Sequence, residues 1–256
     1  MSDSGLASIY LVQALRQSGC PVCRCARDRE AQYLRFLVLE CINDGATHAQ
    51  LAQSHGLCRL HAQQAALVER DELGMLLGNS IIYETLVQLV LQQVGATRGL
   101  LATDKRPSTL RTHLWQLFGI PLPRRAADPA RLLIPRGRCR VCETGIYVSE
   151  YYTKVLASML AQEQYRALYE ESDGICLSHL RAMLRSAEQG PGLDYVMTAT
   201  DARLGALKDR LEQIAQQQGA LQDTDNEGAV IREAIAFFTG STFDDDVAMS
   251  RFAREL

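Results

Sequence analysis

Apolar residues recur every three or four positions through most of this chain, and no stretch alternates singly as a strand would. Between residues 24 and 42, Ala26, Tyr33, Leu34, Leu37, Val38 and Cys41 share one helical face. A matching face, Tyr147, Tyr151, Tyr152, Val155, Leu156 and Met159, runs through 143–160. The periodicity also predicts helices over 58–70, 73–94, about 177–188 and about 193–218. Gly190-Pro191-Gly192 breaks the chain before the last of these. A short helix fits 229–238. The expected fold class is all-α.

Interruptions set the organisation. Five of the seven prolines fall between 96 and 138, which reads as a linker with a short helix around 109–118. The expected domains are a first helical unit over 1–95, the linker, a second unit over 139–218, and a polar, acidic tail over 219–256 with one short helix. The apolar run 75–94 is broken by Asn79, Ser80, Glu84, Thr85 and Gln88, so a core helix is expected there and not a membrane span. The first twenty residues show neither a basic start nor an apolar stretch with a cleavage site, so no signal peptide is expected. A cytoplasmic location is expected, and in that compartment the eight cysteines should stay reduced.

Those cysteines carry the chemistry. CxxC at Cys20 and Cys23 is followed by CxxH at Cys58 and His61, and the scheme returns as Cys139 and Cys142 with Cys176 and His179. The pairs are separated by 34 residues in the first copy and 33 in the second, and Gly56 and Gly174 each stand two residues before their Cys. Two ligands two residues apart reach one ion from a tight turn, and each pair opens a predicted helix, where the dipole favours thiolate. The expected architecture is therefore two duplicated helical units, each organised around its own CxxC…CxxH metal site. Zinc is the expected metal, two per chain, with an iron–sulfur cluster as the alternative. Three thiolates and a neutral imidazole around Zn²⁺ leave one negative charge. Arg24, Arg27 and Arg59 near the first site, and Arg136, Arg138, Arg140 and Arg181 near the second, are placed to offset it.

Other residues carry weaker signals. Cys25 and Cys41 have no counterpart in the second copy and read as buried small residues, with a thiol nucleophile as the rival. His48 and His55 flank a short helix, and His113 falls in the linker. Glu40, Asn43 and Asp44 are candidate acceptors for His61, although Asn-Asp-Gly terminates a helix equally well.

Charge is uneven within a net of −3. Residues 96–140 carry ten basic and two acidic side chains, and 209–256 carry ten acidic and four basic. The basic stretch holds only Trp115 and Phe118 as aromatics, too few for a single-strand binder, so nucleic acid is not expected. Met197, Thr200, Leu204, Leu207, Leu211 and Ile214 follow 3–4 spacing, which packs on its own unit or forms a homodimer seam.

The run from Gly19 to Ala62 resembles an uncharacterised family of bacterial proteins, a domain of unknown function. The likeness rests on Cys20, Pro21, Val22, Cys23, Arg24, Tyr33, Glu40, Asn43, Asp44, Ser54, Gly56, Cys58 and His61, and later on the Cys-Leu-Ser-His-Leu around Cys176 and His179. Arg140 stands where that family's CPxC has proline. The resemblance implies a bacterial, cytoplasmic protein and brings no activity. From the residues, the expected function is a non-enzymatic metalloprotein with two structural zincs and a helical surface for an unidentified protein partner. An iron–sulfur electron carrier or redox sensor is the alternative, and a thiol-dependent enzyme the third.

Overall fold

The computed structural model describes residues 3–104, 128–216 and 224–240. Among the described residues there is no strand, and the fold is all-α. In chain order the helices are α1 (Asp3–Leu15), α2 (Pro21–Glu40), α3 (Gly45–Ser54), α4 (Arg59–Leu73), α5 (Leu77–Asp104), α6 (Arg140–Leu160), α7 (Arg166–Glu171), α8 (Leu177–Ser186), α9 (Pro191–Gln216) and α10 (Thr224–Thr239). Short 3-10 turns at Pro129–Leu132 and Glu163–Tyr165 precede α6 and α7 respectively. None of the described helices is long and apolar enough to cross a membrane.

The chain divides into two compact units, one of residues 1–32 and 142–256, the other of residues 33–141. In the first, Leu11 and Leu15 of α1, Val22 and Cys25 of α2, Leu156 and Leu160 of α6, Tyr169, Ile175, Met183 and Val196 form one apolar core. The helix α1 was not anticipated, although Ala7, Leu11, Ala14 and Leu15 carry its 3.6-residue period and are all buried. The apolar face expected on α6 is right for Tyr152, Leu156 and Met159, but Tyr147 is 72% exposed. Thr200 and Leu207 of the α9 stripe are buried, and α9 packs against α10 of the same unit, while Met197 is exposed.

In the second unit Leu34, Leu37 and Val38 of α2, Leu51 of α3, Ala65 and Leu67 of α4, and Ile82 and Leu86 of α5 are buried. The expected linker begins as helix, since α5 runs on to Asp104. The short helix expected at 109–118 and the acidic run at Asp244–Asp246 lie outside the described residues. The start of α5 is held from α4. The buried Glu69 carboxylate accepts from the Gly78 N–H at 2.5 Å, the Asn79 N–H at 2.9 Å and the Asn79 amide at 2.5 Å. A carboxylate at a helix N-terminus is favoured both by the dipole and by the unpaired amides there. The core helix expected at 75–94 is only partly one: Asn79, Ile82 and Leu86 are buried, while Val87 and Leu91 are more than half exposed.

Candidate metal centres

Each cysteine pair sits at a helix start in the same way. Cys20 and Cys139 immediately precede α2 and α6, and Cys58 and Cys176 are the residues capping α4 and α8 in extended conformation. Backbone N–H groups of Arg24, Ala62 and Leu180 donate to the carbonyls of Cys20, Cys58 and Cys176 at 3.2, 2.8 and 2.8 Å. The second member of every pair lies three residues on, inside the first turn, so both side chains project from the positive end of the helix dipole, where thiolate is favoured. Gly56 and Gly174 take φ of +93° and +73°, a turn that L side chains resist, and so swing the chain into the capping cysteine.

All eight residues singled out in the sequence come together, in two clusters of four. Cys20, Cys23, Cys176 and His179 form one, and Cys58, His61, Cys139 and Cys142 the other, with the donor atoms of each within 4.8 Å of one another. In the first, the Nδ1 of His179 lies 3.5, 3.3 and 3.3 Å from the sulfurs of Cys20, Cys23 and Cys176, and Cys23 and Cys176 are 3.7 Å apart. In the second, Nδ1 of His61 lies 3.3 Å from Cys58 and 3.5 Å from Cys139.

The grouping corrects the expectation that each copy closes on itself. Cys20 and Cys23 meet Cys176 and His179, not Cys58 and His61, and the second copy's CxxC meets the first copy's CxxH. For the first cluster the cause is packing. Cys20, Val22 and Cys25 share one core with Ile175, Cys176, Leu180 and Met183, which puts the starts of α2 and α8 side by side.

The donor set of the first cluster calls for a cation. Hydrogen bonding to Cys176 and Cys20, with burial, pushes the Cys23 thiol far up, while hydrogen bonds from Cys20 and Cys23 hold Cys176 down as a thiolate. Burial opposes a charge on His179, yet the hydrogen bonds and charges of Cys176 and Cys20 outweigh it and raise the imidazole to about 9. The donor sets of both clusters, three sulfurs and one ring nitrogen, fit a metal ion.

One neighbour was not legible in the sequence. His179 Nε2 lies 3.0 Å from the Ser149 hydroxyl, so the ring's far side is held and Nδ1 faces the sulfurs. A lone serine within a helix carries no signal for this. Of the acceptors expected for His61, Glu40 and Asn43 are exposed. Asp44 instead caps α3, accepting from the backbone and hydroxyl of Thr47 at 2.8 Å each, which holds its carboxyl below the usual range. His48 lies 2.7 Å from the Ile42 carbonyl and His55 3.3 Å from the Gln93 amide; neither belongs to a cluster. His113 lies outside the described residues. Cys25 is buried in the core, and desolvation together with the Asp28 carboxylate raises its thiol to about 12, which suits an inert packing residue and not a nucleophile. Cys41 is half-buried and joins neither cluster. Two of the expected counter-charges are engaged by backbone: Arg24 donates to the Ser18 carbonyl and Arg27 to that of Gly240.

Gly240 closes the first cluster from outside. It ends α10 with φ +78°, and a Cβ there would stand 2.9 Å from the Cys23 sulfur and 3.1 Å from that of Cys176. Gly240→Val would combine a left-handed strain of about 1–2 kcal/mol with a steric conflict at two ligands. The expected result is that one of two bound metal equivalents passes to a chelator at least about tenfold faster, while the other is unchanged. Equal release of both, followed with a chromogenic chelator, would contradict this role.

Residues 3–214 match the model of one family, described as a family of unknown function (DUF6062). The match ends before α10, so Gly240 and its cover over the cluster come from beyond the matched span. No curated protein and no solved structure matches the chain.

Proposed function

The chain belongs to that family of unknown function, and we propose that it is a non-enzymatic metalloprotein whose two Cys₃His sites each hold a structural zinc. The spacing of the donor atoms is the observation that carries the reading. Bonds of about 2.3 Å to sulfur and about 2.05 Å to nitrogen, arranged as a tetrahedron, give edges of about 3.8 Å between sulfurs and about 3.6 Å between sulfur and nitrogen. The first cluster has 3.7 Å and 3.3–3.5 Å. An iron–sulfur cluster places inorganic sulfide and more than one iron between its ligands, and donors that all lie within 4.8 Å favour a single ion. Four protein ligands leave no open position for substrate, which supports a structural and not a catalytic role. The zincs hold a helical scaffold, and its biological task is to bind a protein partner.

Metal analysis of protein purified without oxygen tests this directly. Two zincs per chain and no absorption in the visible are expected, because d¹⁰ zinc has no redox transition. Iron and sulfide in near-equal amounts, with a visible band that bleaches on reduction, would replace the reading with an electron carrier.

A further inference from the structure

Between α9 and α10, beside the first cluster, lies a pocket of about 320 Å³. Its apolar wall includes Ile175, Leu204, Leu207, Ala236 and Phe237, and its polar side carries Arg203 and Arg232. All of these belong to one unit.

The two guanidiniums set the chemistry. Arg203 is fixed in place: Nη2 donates to the Tyr169 carbonyl at 2.5 Å and the Glu170 carbonyl at 3.2 Å, and the group lies 4.8 Å over the Tyr169 ring. Gly174 makes room for it, since a Cβ there would overlap the guanidinium. Among the described residues neither Arg203 nor Arg232 forms an ion pair. The two carboxylates that line the pocket are engaged elsewhere. Glu233 pairs with Arg210 at 2.7 Å, and Asp173 accepts from the Gly19 N–H at 2.5 Å. With Glu233 offset by Arg210, Arg203 and Arg232 are the cationic groups of the lining, set against Asp173 and the Cys20 and Cys176 edge of the first cluster.

We infer that this pocket binds a small monocarboxylate with an apolar body, seated with its carboxylate on Arg203 and Arg232 and its chain or ring against Leu207, Ala236 and Phe237. Arg232 can meet a carboxylate with the planar guanidinium fork, while Arg203, its Nη2 taken by two carbonyls, adds charge from a fixed position and loses little freedom on binding. Pockets of this size enclose ligands on the order of ten non-hydrogen atoms, and apolar walls with a few convergent polar groups are the common form of such sites. The inference does not depend on which metal the clusters hold.

Titration calorimetry of the full-length, metal-replete chain with octanoate and with 4-phenylbutyrate tests it, using the matching neutral amides as controls. At least one acid is expected to bind one to one, about tenfold or more tighter than its amide. Arg232→Met, an exposed α10 position, is expected to weaken the acid about fivefold or more without changing helicity. Ala236→Trp fills the pocket and is expected to abolish binding. If neither acid binds at about 5 mM, or if acid and amide bind alike, the inference is overturned. An unaltered affinity in both variants overturns it too. Metal content measured on the same samples reports on the zinc reading separately, so failure of one does not pass for failure of the other.

Discussion

Cys20→Ser combined with Cys176→Ser in one chain is expected to remove one metal equivalent, whereas Cys20→Ser combined with Cys58→Ser is expected to remove both. The grouping dictates this result. Cys20 and Cys176 stand in one cluster, Cys58 in the other, and a three-ligand site that has already lost its ion has nothing further to lose. Closure of each copy on itself predicts the reverse: the Cys20 and Cys58 changes would fall on one ion and the Cys20 and Cys176 changes on two. Cys58→Ser with Cys139→Ser serves as the second pair, expected to cost one equivalent. Elemental analysis of the four single and three double variants distinguishes the two arrangements without a structure, provided each is purified with excess zinc to give weakened sites their chance to fill.

Stripping both ions is expected to unfold the protein. The first cluster joins residues 153 apart in sequence, Cys23 and Cys176, and four helix starts converge on the two sites. Structural zinc contributes about 10–16 kcal/mol of apparent binding free energy in small zinc domains, comparable with the roughly 5–15 kcal/mol that separates a folded domain from its unfolded chain. Without the ion, buried thiols and an imidazole are left crowded together with only protons to balance them. Circular dichroism at 222 nm, before and after treatment with a strong chelator, should show loss of most helical signal or a fall in Tm of about 15 °C or more. Restoring zinc should recover it. A metal-free chain with full helicity and an unchanged Tm would show that packing alone sustains the fold.

The sequence by itself determined the fold class and singled out the eight residues that form the two clusters. The 3.6-residue period of apolar positions requires helices, and a cysteine pair at a helix start has a recognisable spacing because Ncap and N3 side chains lie on one side of a turn. What local pattern could not decide was the partner of each pair. Cys20–Cys23 and Cys139–Cys142 carry the same donors at the same spacing, as do Cys58–His61 and Cys176–His179 apart from nothing but their neighbours. Exchange between copies therefore leaves every local signal unchanged. For the first cluster the core decided it: Val22 and Cys25 of α2 are buried with Ile175 and Met183, and the ligands at those helix starts follow. Ser149 on His179, Gly240 over the sulfurs and Arg203 beside the pocket were hidden for the same reason. Each acts across more than twenty residues of chain, and a serine, a glycine or an arginine acquires such a role only when packing brings it to a particular neighbour.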